Sequence, residues 1–302
     1  MKVLVIGYGS IARRHFLIIK KNFKSAKIHI LSRRKIKVHG AIMLKNKDEI
    51  KKIKPDYIIL ASETSKHYPD LNFLEKNFKK IKILVEKPLF HKSIKMNVKK
   101  NNVFVGYNLR FHPGVIFLKK LLSKKKLIDI KIITNSYLPN WRTKKYTNSY
   151  SADKKKGGGV ILDLSHEIDL ALWLFGAVKI KHVKYGKQSN LKISAEDNLK
   201  LLGKINNANF YLDLSYYSKN EIRSISVDTN KDSFFLDLKS NLIKINNIVK
   251  KNINYSMNRT YLDMHKAIIY KKNTKYLCTF NQGKNILKLI TKIKNFKIKQ
   301  AV

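Results

Sequence analysis

The 302-residue chain has a single cysteine, Cys278, and only five prolines. One cysteine excludes an internal disulfide and a cysteine-built metal cluster, and it fits a reducing, cytoplasmic setting. No apolar run reaches the ~18 residues of a membrane-spanning helix, so no membrane partner is expected. The start, Met1 to Ile6, already reads as a strand running into a glycine turn, which leaves no room for a signal peptide. Acidic residues are scarce, 20 against 64 lysines and arginines, giving a formal net charge of +44. Arginine is scarce too: eight residues, against 56 lysines that fall as 22, 17 and 17 in residues 1–100, 101–200 and 201–302. A nucleic-acid surface gathers its cations on one face and uses arginine for phosphate forks and base edges. An even spread of lysine describes a solvated surface instead, and nucleic acid is not an expected partner.

What is present is enough apolar sequence, 44% of residues, for two cores. Short apolar runs at Val3–Ile6, Lys27–Leu31, Asp56–Ala61, Ile81–Val85 and Asn102–Val105 alternate with helical stretches from Ser10 and from Thr64 or Ser65. That alternation predicts βαβ units and a parallel sheet. After about residue 120 the pattern changes. A strand over Lys131–Tyr137 and a helix after Gly157-Gly158-Gly159 precede five extended stretches between Lys179 and Leu238, joined by short turns, so antiparallel pairing is expected. Helices near Tyr261–Tyr270 and Gln282–Lys294 close the chain. The expected domains are 1–120 and 121–302.

Gly7-Tyr8-Gly9-Ser10-Ile11-Ala12 directly follows the first strand and opens the first helix. In that setting the first glycine permits a tight turn, the second lets the backbone approach a pyrophosphate, and Ala12 stands for the third small residue. This predicts a dinucleotide site made by Gly7, Gly9, Ser10 and Ile11. After the second strand an acidic residue would take the ribose hydroxyls of NAD. The sequence has Ser32-Arg33-Arg34, which suits the extra phosphate of NADP. NADP is therefore the preferred cofactor, with NAD the alternative. Glu86-Lys87-Pro88 sits where the Ile81–Val85 strand ends, the position at which open α/β sheets hold their ligands.

The ordered set GYGSIARRH, ETSKH, VEKPL, GYNLRFHP and GGGVILDLSHEID resembles the Gfo/Idh/MocA oxidoreductases over essentially the whole chain. The resemblance implies a Rossmann domain followed by an α+β domain with an open, mostly antiparallel sheet. It implies hydride transfer between a nicotinamide and a carbon of a sugar, nucleotide sugar or cyclitol in an interdomain cleft, and a homo-oligomer. The resemblance is to a bacterial branch often associated with surface-glycan or amino-sugar metabolism. Matched residue by residue, Lys87 and His166 are the expected proton-handling pair and Asp163 a substrate-contacting aspartate. Ser62, Glu86 and Lys87 would border the cofactor. Asp163 and His166 are three apart where the family commonly has four; both spacings share a helix face, although the departure leaves Asp163's role open. Asp169 could orient His166 or face solvent. Asp163, His166 and Asp169 are metal-like residue types, but the resemblance implies metal-free chemistry. Asn108, Arg110, Trp141 and Arg142, with Lys144 and Lys145, would supply donors and aromatic planes for an anionic sugar. The rival reading is a non-enzymatic NADP-binding regulator on the same fold.

Overall fold

The computed structural model describes residues 1–34, 36–141 and 145–296. They form two compact units, Met1–Phe111 with Ser256–Leu287, and His112–Tyr255 with the segment from Lys288. In the first unit the strands are β1 (Lys2–Ile6), β2 (Lys27–Leu31), β3 (Ile42–Leu44), β4 (Tyr57–Leu60), β5 (Lys82–Val85) and β6 (Asn102–Val105). They pair in parallel in the order β6-β5-β4-β1-β2-β3, and Cys278–Thr279 adds a short antiparallel strand outside β6. All of β4 and all of β1 but Lys2 are buried, which is why both read as unbroken apolar runs. The helices α1 (Ser10–Asn22), α2 (Asp48–Ile53) and α3 (Thr64–Asn77) follow β1, β3 and β4. Ala12, His15, Phe16, Ile18 and Ile19 are the buried stripe of α1. The chain reverses direction across the sheet between β1 and β4, the switch point at which doubly wound sheets bind ligands.

The second unit carries β7 (Leu127–Tyr137), β8 (Val178–Gly186), β9 (Asn198–Ile205), β10 (Ala208–Ser215), β11 (Tyr217–Thr229), β12 (Ser233–Asp237), β13 (Leu242–Ile245) and β14 (Ile248–Asn252). Their order is β14-β13-β12-β11-β7-β10-β9-β8, antiparallel except where β7 meets β10. Leu201, Leu212, Ile132 and Ile225 lie side by side across four strands, all buried. The helices are α4 (Pro113–Leu122), against β12, and α5 (Val160–Asp163) and α6 (Ser165–Phe175), with α6 against β7. The opposite face of the sheet carries Leu202, Tyr211 and the Lys200–Asp213 ion pair. Sequence periodicity suggests one helix after the glycines. The structure instead breaks it at Leu164 (φ −94°, ψ 29°), so Asp163 ends α5 and His166 lies in the first turn of α6.

The chain then returns to the first unit through α7 (Met257–Tyr270), and α8 (Phe280–Lys294) belongs to that unit as far as Leu287. Among the described residues no helix is long and apolar enough to cross a membrane.

Candidate active site

The glycine turn is shaped by its neighbours. Gly7 has φ +96°, and a Cβ there would lie 2.6 Å from the Ala61 carbonyl oxygen, so the turn closes against the exit of β4. Gly9 is the N-cap of α1; a Cβ on it would meet nothing within 4 Å, and no side chain caps the helix. The first-turn N–H groups of α1 have no intrahelical acceptor, and no acidic residue stands in that turn. This is a cradle open to an anion, and it fits the pyrophosphate of a dinucleotide. Beyond β2, Arg33 and Arg34 are exposed and neither pairs with a carboxylate among the described residues. Ser32 Oγ accepts the Arg34 N–H at 3.0 Å. Ser62 Oγ donates to Asp70 Oδ2 at 3.0 Å, and Asp70 also holds Lys47 at 2.8 Å.

Lys87 follows β5 and is half-buried, with the peptide to Pro88 in the cis form. Its backbone N–H donates to Glu86 Oε2 at 3.1 Å, while Glu86 Oε1 lies 2.8 Å from His15 Nε2. Glu86 is buried with both carboxylate oxygens engaged by the protein. Under the turn, His67 Nε2 reaches the Ser62 carbonyl at 3.0 Å and Nδ1 the Pro88 carbonyl at 3.1 Å, tying the ends of β4 and β5 together. Burial pushes the His67 pKa down, opposed by the carbonyl oxygens that face both ring nitrogens.

Two expected sugar contacts are buried and hydrogen-bonded within the protein. Arg110 is 2% exposed, with Nη1 donating to Gln282 Oε1 at 2.8 Å and to the Leu277 carbonyl at 3.4 Å. Asn108, equally buried, donates to Thr260 Oγ1 at 2.5 Å. Both tie the Asn108–Phe111 segment to C-terminal parts of the first unit. Arg142 and Lys144 lie outside the described residues.

In the second unit, buried Asp163 Oδ2 accepts the Tyr216 hydroxyl at 2.7 Å. Burial and the Asp163 carboxylate push the Tyr216 pKa well up, so the phenol remains a donor. The Tyr216 ring meets half-buried Trp141 edge-on, centroids 5.2 Å apart. His166 is half-buried, whereas Asp169 is wholly buried and does not face solvent. The intervening Glu167 is also buried and is gripped by Arg223 at 2.7 Å. Tyr146 accepts the Lys192 N–H at 3.1 Å, and Lys145 is exposed. Among the described residues no three His, Cys, Asp or Glu side chains gather as a metal-binding group.

Sequence reasoning passed over four residues around the Glu86 turn: His15, Tyr57, His265 and Gly106. The third position after Ala12 in GYGSIARRH was the one available signal, a histidine on the buried face of α1.

Residues 1–100 match the family described as an oxidoreductase family, NAD-binding Rossmann fold, and residues 119–295 its C-terminal alpha/beta domain. Among curated proteins no match is found. Solved structures of the same fold include an oxidoreductase from Thermotoga maritima, 16% identical, covering 98% of this chain and 96% of that one, with TM-score 0.79. The WlbA dehydrogenase from Bordetella pertussis, solved with NADH and UDP-GlcNAcA, is 15% identical over 97% and 95%, TM-score 0.76. UDP-N-acetylglucosamine 3-dehydrogenase GnnA from Acidithiobacillus ferrooxidans is 14% identical over 97% and 96%, TM-score 0.74. Identities this low show a common fold.

Proposed function

The chain belongs to the Gfo/Idh/MocA family of oxidoreductases, and from that premise we propose that it oxidises or reduces a hydroxyl-bearing carbon of a nucleotide sugar with NADP in preference to NAD. The observation that carries this reading is the position of Lys87. It follows β5 at the carboxyl edge of the parallel sheet, and only β4 separates β5 from β1, which ends in the uncapped glycine turn. Gly7, Gly9, Ser10 and Ile11 would hold the dinucleotide, with Ser62 beside them. A bound nicotinamide supplies the hydride acceptor or donor. Lys87 Nζ holds the substrate hydroxyl oxygen, and His166 takes or returns its proton. Asp163, fixed by Tyr216, contacts the sugar, and Trp141 covers its apolar face. Arg142 is the proposed phosphate contact.

The NADP preference rests on Arg33 and Arg34, exposed and without carboxylate partners where an acidic residue would favour NAD. The nucleotide-sugar class is supported by WlbA and GnnA, whose names and bound ligand point to UDP-sugars. A homo-oligomer through the outer face of the second sheet belongs to the same reading, supported by Leu202 and Ile222, about half exposed there.

The test is turnover of UDP-N-acetylglucosamine, its uronic acid, free N-acetylglucosamine and inositol with each cofactor, followed by nicotinamide absorbance. UDP-sugars should react at least about tenfold faster in kcat/KM than the free sugars, and Arg142→Ala should erase much of that advantage. Arg33→Ala with Arg34→Ala should weaken NADP binding by on the order of 1.5–3 kcal/mol per lost contact and NAD binding far less. Tight NADP binding with no turnover of any sugar would favour a non-enzymatic regulator.

A further inference from the structure

Four buried side chains form a hydrogen-bonded row inside the first unit. Tyr57 Oη on β4 lies 2.8 Å from His265 Nδ1 on α7. His265 Nε2 lies 2.9 Å from His15 Nδ1 on α1. His15 Nε2 lies 2.8 Å from Glu86 Oε1. The first three residues are 0% exposed, and among the described residues Tyr57 Oη has no second polar partner.

Proton count fixes the direction of the row. A carboxylate only accepts, so His15 presents Nε2–H to Glu86. Burial pushes the His265 pKa well below the ordinary histidine value, so that ring is neutral with one N–H. Burial and the Glu86 charge push the Tyr57 pKa well above the ordinary phenol value, so Tyr57 keeps its O–H. Because the Tyr57 O–H has His265 Nδ1 as its one polar partner among the described residues, a single arrangement gives every proton in the row an acceptor. Tyr57 donates to His265 Nδ1, His265 Nε2–H donates to His15 Nδ1, and His15 Nε2–H donates to Glu86. The row carries one net negative charge, at the carboxylate.

We infer that Tyr57, His265 and His15 are positioning residues: they hold the Glu86 carboxylate as an anion in one orientation, and its second oxygen in turn fixes the Lys87 backbone N–H. The inference rests on the reading that Lys87 is a site residue. An apolar core could fill the same volume without the cost of burying four polar groups. What it could not supply is a fixed charge under the Lys87 turn. One further feature supports a built arrangement. Gly106 leaves room for the carboxylate, since a Cβ there would lie 2.7 Å from Glu86 Oε1. Ionisable groups near the row among the described residues include Tyr261 on α7, edge-on to His15 at 5.4 Å, and His67 on α3, which feels the Glu86 charge.

The test compares His265→Gln with His265→Phe. Glutamine keeps an N–H near the position of Nε2, whereas phenylalanine keeps the ring and its volume but no donor. With histidine-selective ¹⁵N labelling, His15 and His265 of the wild type should both be neutral Nε2–H tautomers over about pH 6–8. His15 should stay so in the Gln variant and titrate in the Phe variant. The Lys87 amide can be followed separately, because Glu75-Lys76 and Glu86-Lys87 are the only Glu-Lys pairs in the sequence. Labelling Glu carbonyl carbon with ¹³C and Lys nitrogen with ¹⁵N therefore leaves two amide signals. The Lys87 signal should be independent of pH in the wild type and in the Gln variant, and should move with pH in the Phe variant. Turnover of UDP-N-acetylglucosamine should fall about tenfold in the Phe variant and less in the Gln variant, with cofactor affinity unchanged. A packing role predicts the reverse order, with Phe tolerated better than Gln. That order, an Nδ1–H tautomer in the wild type, or an unmoved Lys87 amide in the Phe variant would overturn the inference. Absence of turnover in the wild type would defeat the substrate reading alone, because the two labelling measurements need no substrate.

Discussion

Lys87 contributes through two nitrogens that a substitution can separate. Lys87→Met retains the backbone N–H on Glu86 and most of the stem, but removes the Nζ charge and proton. Turnover should fall by about 10² or more, with melting temperature and cofactor affinity nearly unchanged; near-normal turnover in steady-state assays would return Lys87 to the solvated surface. The buried histidines make a different prediction. Burial lowers the pKa of His67, His112 and His265. For each, the unfolded chain binds the proton more readily than the folded one. Their contribution to stability is therefore present above about pH 6.5 and lost as the pH falls below it, by up to ~1.4 kcal/mol per pH unit for each. Urea midpoints measured from about pH 7 down to 5 should show this slope, and His265→Gln should reduce it. What could be read from sequence at this scale was whatever is locally determined. The demands of a glycine turn between strand and helix are met within six residues, so Gly7 to Ala12 were legible. Arg110 was not: its partner Gln282 is 172 residues away, and a polar residue after a strand end looks the same whether it meets a ligand or its own chain.

At the scale of elements, strands defined by unbroken apolar runs were placed within a residue or two, because both faces of the first sheet are covered. The second sheet was legible where alternation is strong, as in β9. The strands β13 and β14 were missed: they are short, and β14 is exposed throughout, so burial leaves no alternating pattern to read. Their turn did leave a signal. Asn246 and Asn247 have φ of 51° and 64°, as a two-residue hairpin turn requires, and asparagine tolerates that region. Asn247→Gly should preserve or raise stability, whereas Asn247→Val should cost about 1–2 kcal/mol in urea unfolding. Equal midpoints would mean that this hairpin opens before the rest of the unit. The break at Leu164 was illegible for a different reason, since Leu164, Ile168 and Phe175 keep helical spacing and are all buried even though the helix is interrupted.

For the whole molecule, the proposed self-association is testable by mass. Leu202→Lys with Ile222→Lys adds two charges to the outer face of the second sheet and should lower the mass seen by light scattering to that of one chain. A wild type that is already monomeric would refute the association. The charge of +44 also predicts that moderate salt raises the melting temperature, because screening relieves self-repulsion more than it weakens a few surface ion pairs. The first unit, finally, is assembled from the two ends of a long stretch of chain: residues to Phe111, then Ser256 onward. During synthesis on the ribosome, Glu86 and His15 emerge early, but His265 follows only after some 180 further residues have been translated (order of magnitude, at the usual elongation rate a delay of roughly 10–40 s). Until then the nascent sheet carries a carboxylate whose supporting row is incomplete, and Arg110 and Asn108 wait for partners on the same late segment. A chain cut short before Ser256 would therefore yield a dinucleotide-binding sheet with unmet buried polar groups, the kind of product that cellular proteases remove.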